Sequence, residues 1–247
     1  MKIIACYSNK GGVGKTATSV NLAYASAHAG YRTLLCDLDP QGASSFYFRV
    51  KPSAKLKDQS FFKDTERFLK AIRASDFDNL DLLPANLTFR DFDIFLSRMK
   101  QSRSRLNKAL KAVNSDYDVI ILDCPPNISL LSENVFKVAE KIVVPVIPTT
   151  LSQRTLEQLY AFFKDNGYQR PKISPFFSMV QKAKSLHKDT MTAIRKKHRK
   201  TLETVVPFST YIERMGIHRA PALSYASNEK AVAAYASLWR EIDAKVK

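Results

Sequence analysis

The chain predicts an α/β fold, a mostly parallel central sheet with helices on both faces. Strand-like and helix-like patterns alternate along all 247 residues. The strand runs are almost continuously apolar, which marks strands covered on both faces and therefore a parallel sheet. No internal repeat or low-complexity linker interrupts the alternation, so residues 1–247 are expected to form a single domain.

The elements follow in order. The run KIIACYS (2–8) reads as a buried strand, followed by a glycine loop and a helix from Thr16 to about His28, stopped by Gly30. RTLLCDLD (32–39) is a second buried strand, ended by Pro-Gln-Gly. Residues 60–74 and 89–113 read as helices around a short strand at LDLL (80–83). YDVIILDC (117–124), KIVVPVIP (141–148) and KISPFFSMV (172–180) are further strands, the first ended by Pro125-Pro126. Helices fit 152–165, 185–199 and 228–245.

Composition narrows the class. The chain is 45% hydrophobic and 25% charged, enough to bury a core of ordinary size. Its apolar runs are short and broken by proline or charge, so no transmembrane helix is expected. The first strand begins at Lys2, so no signal peptide or further N-terminal module is expected before it. Three widely spaced cysteines, Cys6, Cys36 and Cys124, lie in apolar runs and suit buried thiols in a reducing cytoplasm. The formal charge is +16, and it is uneven. Residues 1–150 carry 21 Lys and Arg against 15 Asp and Glu, whereas residues 151–247 carry 18 against 8. Such a balance points to a polyanionic partner.

The stretch SNKGGVGKT (8–16) carries the chemistry. A phosphate-binding loop, G-x-x-x-x-G-K-[ST], lies between a strand and a helix. Gly14-Lys15-Thr16 fit its end, Asn9 replaces its first glycine, and Gly11 and Gly12 carry the turn. Glycines let backbone N–H groups converge on phosphate oxygens, and the helix that follows adds its positive end. Lys15 would reach the β- and γ-phosphates, and the Thr16 hydroxyl would ligate Mg²⁺. Asp123 ends a buried strand beside this loop, where an unpaired carboxylate is costly and should face Mg²⁺ or its waters. Asp37 and Asp39 end another strand; one could hold the metal side while the other orients the attacking water.

KGGVGKT, DLDPQG and ILDCPP, in this order, resemble the deviant-Walker ATPases of the ParA/MinD family, and the likeness runs down to YASNEKAVAAYASLWREI. The resemblance implies a P-loop NTPase fold, ATP and Mg²⁺ as cofactors, and a face-to-face homodimer. Lys10 would then reach the partner's nucleotide while Lys15 serves its own, so both lysines would be catalytic. The nucleotide would be held by Lys10, Gly11, Gly12, Val13, Gly14, Lys15, Thr16 and Ala17. Asp39 would orient water, with Thr16, Asp37 and Asp123 on the metal side. The adenine is expected near Pro207 and Phe208.

Several branches share this core. An interfacial cluster of the nitrogenase-iron-protein kind needs a second central cysteine, which the chain lacks, and the tyrosine cluster of related kinases is replaced by dispersed Tyr211, Tyr225 and Tyr235. The C-terminal helix carries Val232, Tyr235, Leu238, Trp239 and Ile242 along one face; it reads as a closing helix packed on the core, with a MinD-like membrane helix as the alternative. The DNA-binding branch fits best. IRKKHRK (194–200) gathers Arg195, Lys196, Lys197, Arg199 and Lys200, with Arg214 and Arg219 further on and only Asp189 and Glu203 nearby to neutralise them. Residues 98–111 hold six more cations and no acid. The expectation is a slow ATPase, stimulated by an adaptor of the ParB or McdB kind. It would bind nucleoid DNA without sequence preference and position a plasmid, a chromosome complex or a protein assembly such as the carboxysome, in the cytoplasm and away from membranes.

Overall fold

Strand β1 (Lys2–Cys6) sends Ile3 and Ala5 to one face of the sheet and Ile4 and Cys6 to the other, and all four are buried. This two-sided burial is why the run lacks polar alternation. The computed structural model describes residues 1–54 and 56–246. The other strands are β2 (Thr33–Asp37), β3 (Arg73–Ala74), β4 (Leu80–Leu83), β5 (Val119–Asp123), β6 (Lys141–Val146), β7 (Ile173–Val180) and β8 (Val205–Pro207). They form one sheet in the order β3-β4-β2-β5-β1-β6-β7-β8, parallel throughout except for β3 against β4.

Helices Lys15–His28 and Lys230–Asp243 pack together on the face that holds Ile4, Leu35, Ile121 and Val143. Helices Leu130–Val138 and Thr150–Asp165 cover the face that holds Ala5, Cys36, Ile120 and Leu122. Val232, Tyr235, Leu238, Trp239 and Ile242 are all buried, so the C-terminal helix closes the core as expected. Among the described residues no helix is long and apolar enough to cross a membrane.

Two expected helices are broken. The 60–74 stretch divides at Asp64, whose carboxylate caps a new helix by accepting from Arg67 N at 3.0 Å; Arg73–Ala74 then joins the sheet edge as a strand with no apolar signature. The 89–113 stretch breaks into short pieces around Gln101, which adopts a left-handed φ of 55°. What fixes these pieces is an aromatic cluster of Phe61, Phe62, Phe89, Phe92 and Phe95, whose rings need positions that one straight helix cannot supply. Strand β8 adds an element beyond the expected strands, because three residues carry too little periodicity to mark one. The helix over 185–199 ends at Lys197, where His198 leaves the helical region.

Glu241 ties the C-terminal helix to the segment leading into β8. It accepts from Glu203 N, Thr204 N and the Thr204 hydroxyl at 2.8–2.9 Å and pairs with Lys245. Burial alone would raise its pKa, but these hydrogen bonds outweigh burial and hold it at about 2. A depressed carboxyl contributes stability that is present above its unfolded pKa and lost as pH falls through the folded value. Glu241→Gln should therefore cost about 1–2 kcal/mol at pH 7, read by urea denaturation. The difference from the parent chain should shrink between about pH 4.5 and pH 2.

Candidate nucleotide and metal site

The loop between β1 and helix Lys15–His28 turns on two glycines with positive φ, Gly12 at 70° and Gly14 at 92°. Gly14 is the N-cap and offers no side chain, so the first-turn N–H groups have no cap and can meet an anion. A Cβ on Gly14 would lie 3.2 Å from Ser178 Oγ. Ser178 lies within the register shift of β7 against β8 between Phe177 and Val180, next to Met179 at φ 53°. Gly11 and Gly12 are exposed, Val13 is buried, and Thr16 and Ala17 are half-buried in the first turn.

Lys15 is buried and donates from Nζ to the Lys10 carbonyl at 3.1 Å. Burial lowers its pKa, opposed by the charges of Asp123 and Asp39. Lys10 points along its own chain: its Nζ donates to Ser152 Oγ at 3.0 Å, and Thr149 Oγ1 donates to the same serine at 3.1 Å. Thr149 is the N-cap of helix Thr150–Asp165, so the two lysines of the loop have separate neighbourhoods.

The parallel register places Asp37 of β2 directly beside Asp123 of β5, and Asp123 beside Cys6, where the loop departs. Both carboxylates are fully buried. Asp37 Oδ2 accepts from Ser45 N at 2.8 Å and Ser45 Oγ at 2.7 Å, while Oδ1 has no hydrogen-bond partner. Asp123 accepts from Ser19 Oγ at 2.9 Å and Ser44 Oγ at 2.7 Å, and the Thr16 hydroxyl also favours its charged form. Burial pushes the Asp37 carboxyl up, and the adjacent Asp123 charge pushes it further. Two buried carboxylates, one with an orphaned oxygen, and the Thr16 hydroxyl form a hard oxygen donor set that fits Mg²⁺. Among the described residues no group of three or more His, Cys, Asp or Glu surrounds it; Mg²⁺ bound through one or two carboxylates and phosphate oxygens needs none.

Asp39 lies close enough for its charge to act on both carboxylates of this pair. It is half-buried on the loop after β2 and accepts from Gln41 N at 3.0 Å. Sequence reasoning finds both acids but misses Ser19, Ser44 and Ser45. The latter two directly follow DLDPQGA, so paired hydroxyls after an acidic strand end are the available signal. Pro207 ends β8, and Phe208, an exposed residue, donates its N–H to Val180 O.

The basic run is divided by the fold, which corrects the expectation that nearby acids cannot neutralise it. Arg195 pairs with Glu203 at 3.2 Å and lies over the Phe177 ring. Lys197 pairs at 2.7 Å with Glu157, an acid from helix Thr150–Asp165 that lies 40 residues away in sequence. His198, next in the chain, is buried, stacked on Tyr160 and 2.8 Å from the same Glu157. Lys196, Arg199, Lys200 and Arg214 are exposed, and their side chains make no hydrogen bond or ion pair among the described residues. Arg219, expected on the same polyanion surface, is also exposed, with its guanidinium 4.6 Å from the Phe46 ring centroid. In the 98–111 stretch Arg103 pairs with Glu133, and Arg105 turns back to the Lys100 carbonyl.

Comparison with known proteins finds relatives along nearly the whole chain. The AAA_31 family, described as an AAA domain, matches residues 1–173. The sporulation initiation inhibitor protein Soj of Bacillus subtilis is 31% identical over 98% of both chains. A putative plasmid partition protein of Borrelia burgdorferi bound to AMPPNP superposes with a TM-score of 0.82 at 22% identity, over 99% of this chain and 98% of that one. Cobyrinic acid a,c-diamide synthase of Mycobacterium smegmatis, bound to ADP and magnesium, gives 0.80 at 24% identity, over 98% and 94%.

The two positive-φ glycines should respond differently to alanine. Gly12 faces open space, whereas Gly14 meets Ser178. Both changes strain the backbone and should cost about 1 kcal/mol or more, with Gly14→Ala the larger. Thermal unfolding of the two variants without nucleotide measures the order.

Proposed function

The chain belongs to the ParA/MinD family of deviant Walker ATPases, and we propose that it is an ATP-dependent dimerising switch that binds DNA without sequence preference and positions a cargo. The observation that carries this reading is the in-register pair Asp37 and Asp123, fully buried beside Lys15 and the uncapped helix N-terminus. Residues 1–247 act as one ATPase unit. The loop N–H groups and Lys15 hold the triphosphate; Thr16, Asp37 and Asp123 hold Mg²⁺, which neutralises charge on the phosphates; Pro207 and Phe208 receive the base. Asp39, on its loop, orients the attacking water. Lys10 leaves Ser152 for the second subunit's phosphates, a stronger partner than one hydroxyl. Hydrolysis therefore waits for the dimer and is slow until an adaptor of the ParB or McdB kind acts. The cargo is a plasmid, a chromosome complex or a protein assembly such as the carboxysome, and the chain sits on the nucleoid in the cytoplasm.

DNA contact falls to the cations that the fold leaves unpaired, Lys196, Arg199, Lys200 and Arg214, with Arg195 and Lys197 contributing through exposed and therefore weak ion pairs. A membrane-surface role of the MinD kind is disfavoured by a specific observation: the apolar face of the C-terminal helix is buried against the core.

Two experiments test this. Lys10→Ala should still bind ATP as a monomer, because Lys15 and the loop remain. It should lose ATP-dependent dimerisation, seen by light scattering, or its hydrolysis. A variant that dimerises and turns over normally sinks the trans role. Replacing Lys196, Arg199 and Lys200 by Glu should abolish DNA binding and leave ATP-driven dimerisation intact. For about four phosphates neutralised, the parent's log affinity against log salt should have a slope of about −3.6, a loss of about a hundredfold between 50 and 200 mM. An unchanged slope in the triple variant would show that this surface is only solvated.

A further inference from the structure

Helix Ala43–Tyr47 links the candidate metal site to the C-terminal half of the chain. Its Ser44 and Ser45 hold Asp123 and Asp37. The next residue, Phe46, is held from outside: Arg219 Nε donates to its carbonyl at 3.3 Å, and the guanidinium lies 4.6 Å from its ring. Just past the helix, Arg49 donates to the His218 carbonyl at 3.0 Å. The loop that presents Arg219 is itself fixed to the phosphate-loop helix. Asn21 of that helix donates to Met215 Sδ at 3.3 Å and accepts from Leu223 N at 3.1 Å. Within the loop the His218 ring stacks on Tyr225 at 4.0 Å. A closed path thus runs from the phosphate-loop helix through Arg219 and Phe46 to the two carboxylates.

We propose that Arg219 is a positioning residue for the metal site: it seats helix Ala43–Tyr47 so that Ser44 and Ser45 orient Asp123 and Asp37, and it is not a phosphate-contacting residue of the DNA surface. Its guanidinium, although exposed, is engaged by a ring and a carbonyl. The inference rests on the reading that the carboxylate pair serves Mg²⁺ with a nucleotide.

The test uses the full chain and a fluorescent ATP analogue. Binding is titrated with Mg²⁺ and compared with binding in EDTA, for the parent, Arg219→Ala, Arg219→Lys and Phe46→Ala. Loss of the cation–π contact and its hydrogen bond should raise the Mg²⁺ concentration for half-maximal enhancement about tenfold in Arg219→Ala. Phe46→Ala, which removes only the ring, should show a smaller rise, and Arg219→Lys should recover part of the loss. Affinity in EDTA should stay at the parent level, because the glycine loop and Lys15 are untouched. At saturating Mg²⁺ the salt slope of DNA binding should also be unchanged. A parent-like Mg²⁺ dependence in Arg219→Ala overturns the proposal. So does a salt slope that falls by about one, the mark of a lost phosphate contact. If the parent itself shows no Mg²⁺-dependent nucleotide binding, the functional reading fails first, and the result is distinguishable from either outcome.

Discussion

Asp37 and Asp123 lie side by side across β2 and β5 with neither exposed to solvent, and two adjacent buried carboxylates are tolerated only where hydrogen bonds, a cation or protonation of one of them offsets their charge. Much of the local architecture serves that need. Ser19 comes from the phosphate-loop helix, and Ser44 and Ser45 come from the short helix after β2. Those two helices must therefore converge on one end of the sheet, which is also where the glycine loop leaves β1. The three serine hydroxyls satisfy three carboxylate oxygens and leave Asp37 Oδ1 without a partner. A site so nearly balanced gains most from one more positive charge, and a divalent cation beside a polyphosphate supplies it.

The strands that build this end were legible in the sequence because burial on both faces leaves an unmistakable apolar run. The acids at their ends were legible because a carboxylate closing such a run is costly unless a cation or hydrogen bonds offset it. The serines were not, since a hydroxyl has no periodic signature and acquires meaning only when a parallel register brings two strands together. Glu157 was invisible for the same reason: local sequence shows Lys197 surrounded by cations, and only the packing of helix Thr150–Asp165 brings an acid to it. The broken helices over 60–74 and 89–113 show the converse. Their apolar spacing is compatible with longer helices, but a capping aspartate and five phenylalanine rings select shorter ones.

Charge follows the same logic. A net charge of +16 describes the chain but not its surface. Arg195 and Lys197 are paired with acids and His198 is buried, so the contiguous run 194–200 is divided among different neighbours. Within that run Lys196, Arg199 and Lys200 are exposed without an ion pair among the described residues. Their spacing is set by the end of one helix and the loop after it, and not by adjacency in sequence.

The two lysines of the glycine loop can now be separated on physical grounds. Lys15 is buried, donates to the Lys10 carbonyl and feels the Asp123 charge, so its ammonium is committed to the interior of the loop. Lys10 is only half-buried, and its ammonium is held by a single neutral hydroxyl. A charged donor on one serine is readily exchanged for an anion, because a charge-assisted hydrogen bond to phosphate is stronger than one to a hydroxyl. The backbone carbonyl of Lys10 anchors Lys15 while its side chain stays exchangeable, so one residue fixes the local cation and keeps a second in reserve. A loop with a single lysine could hold an anion, but it would have no second cation held this loosely.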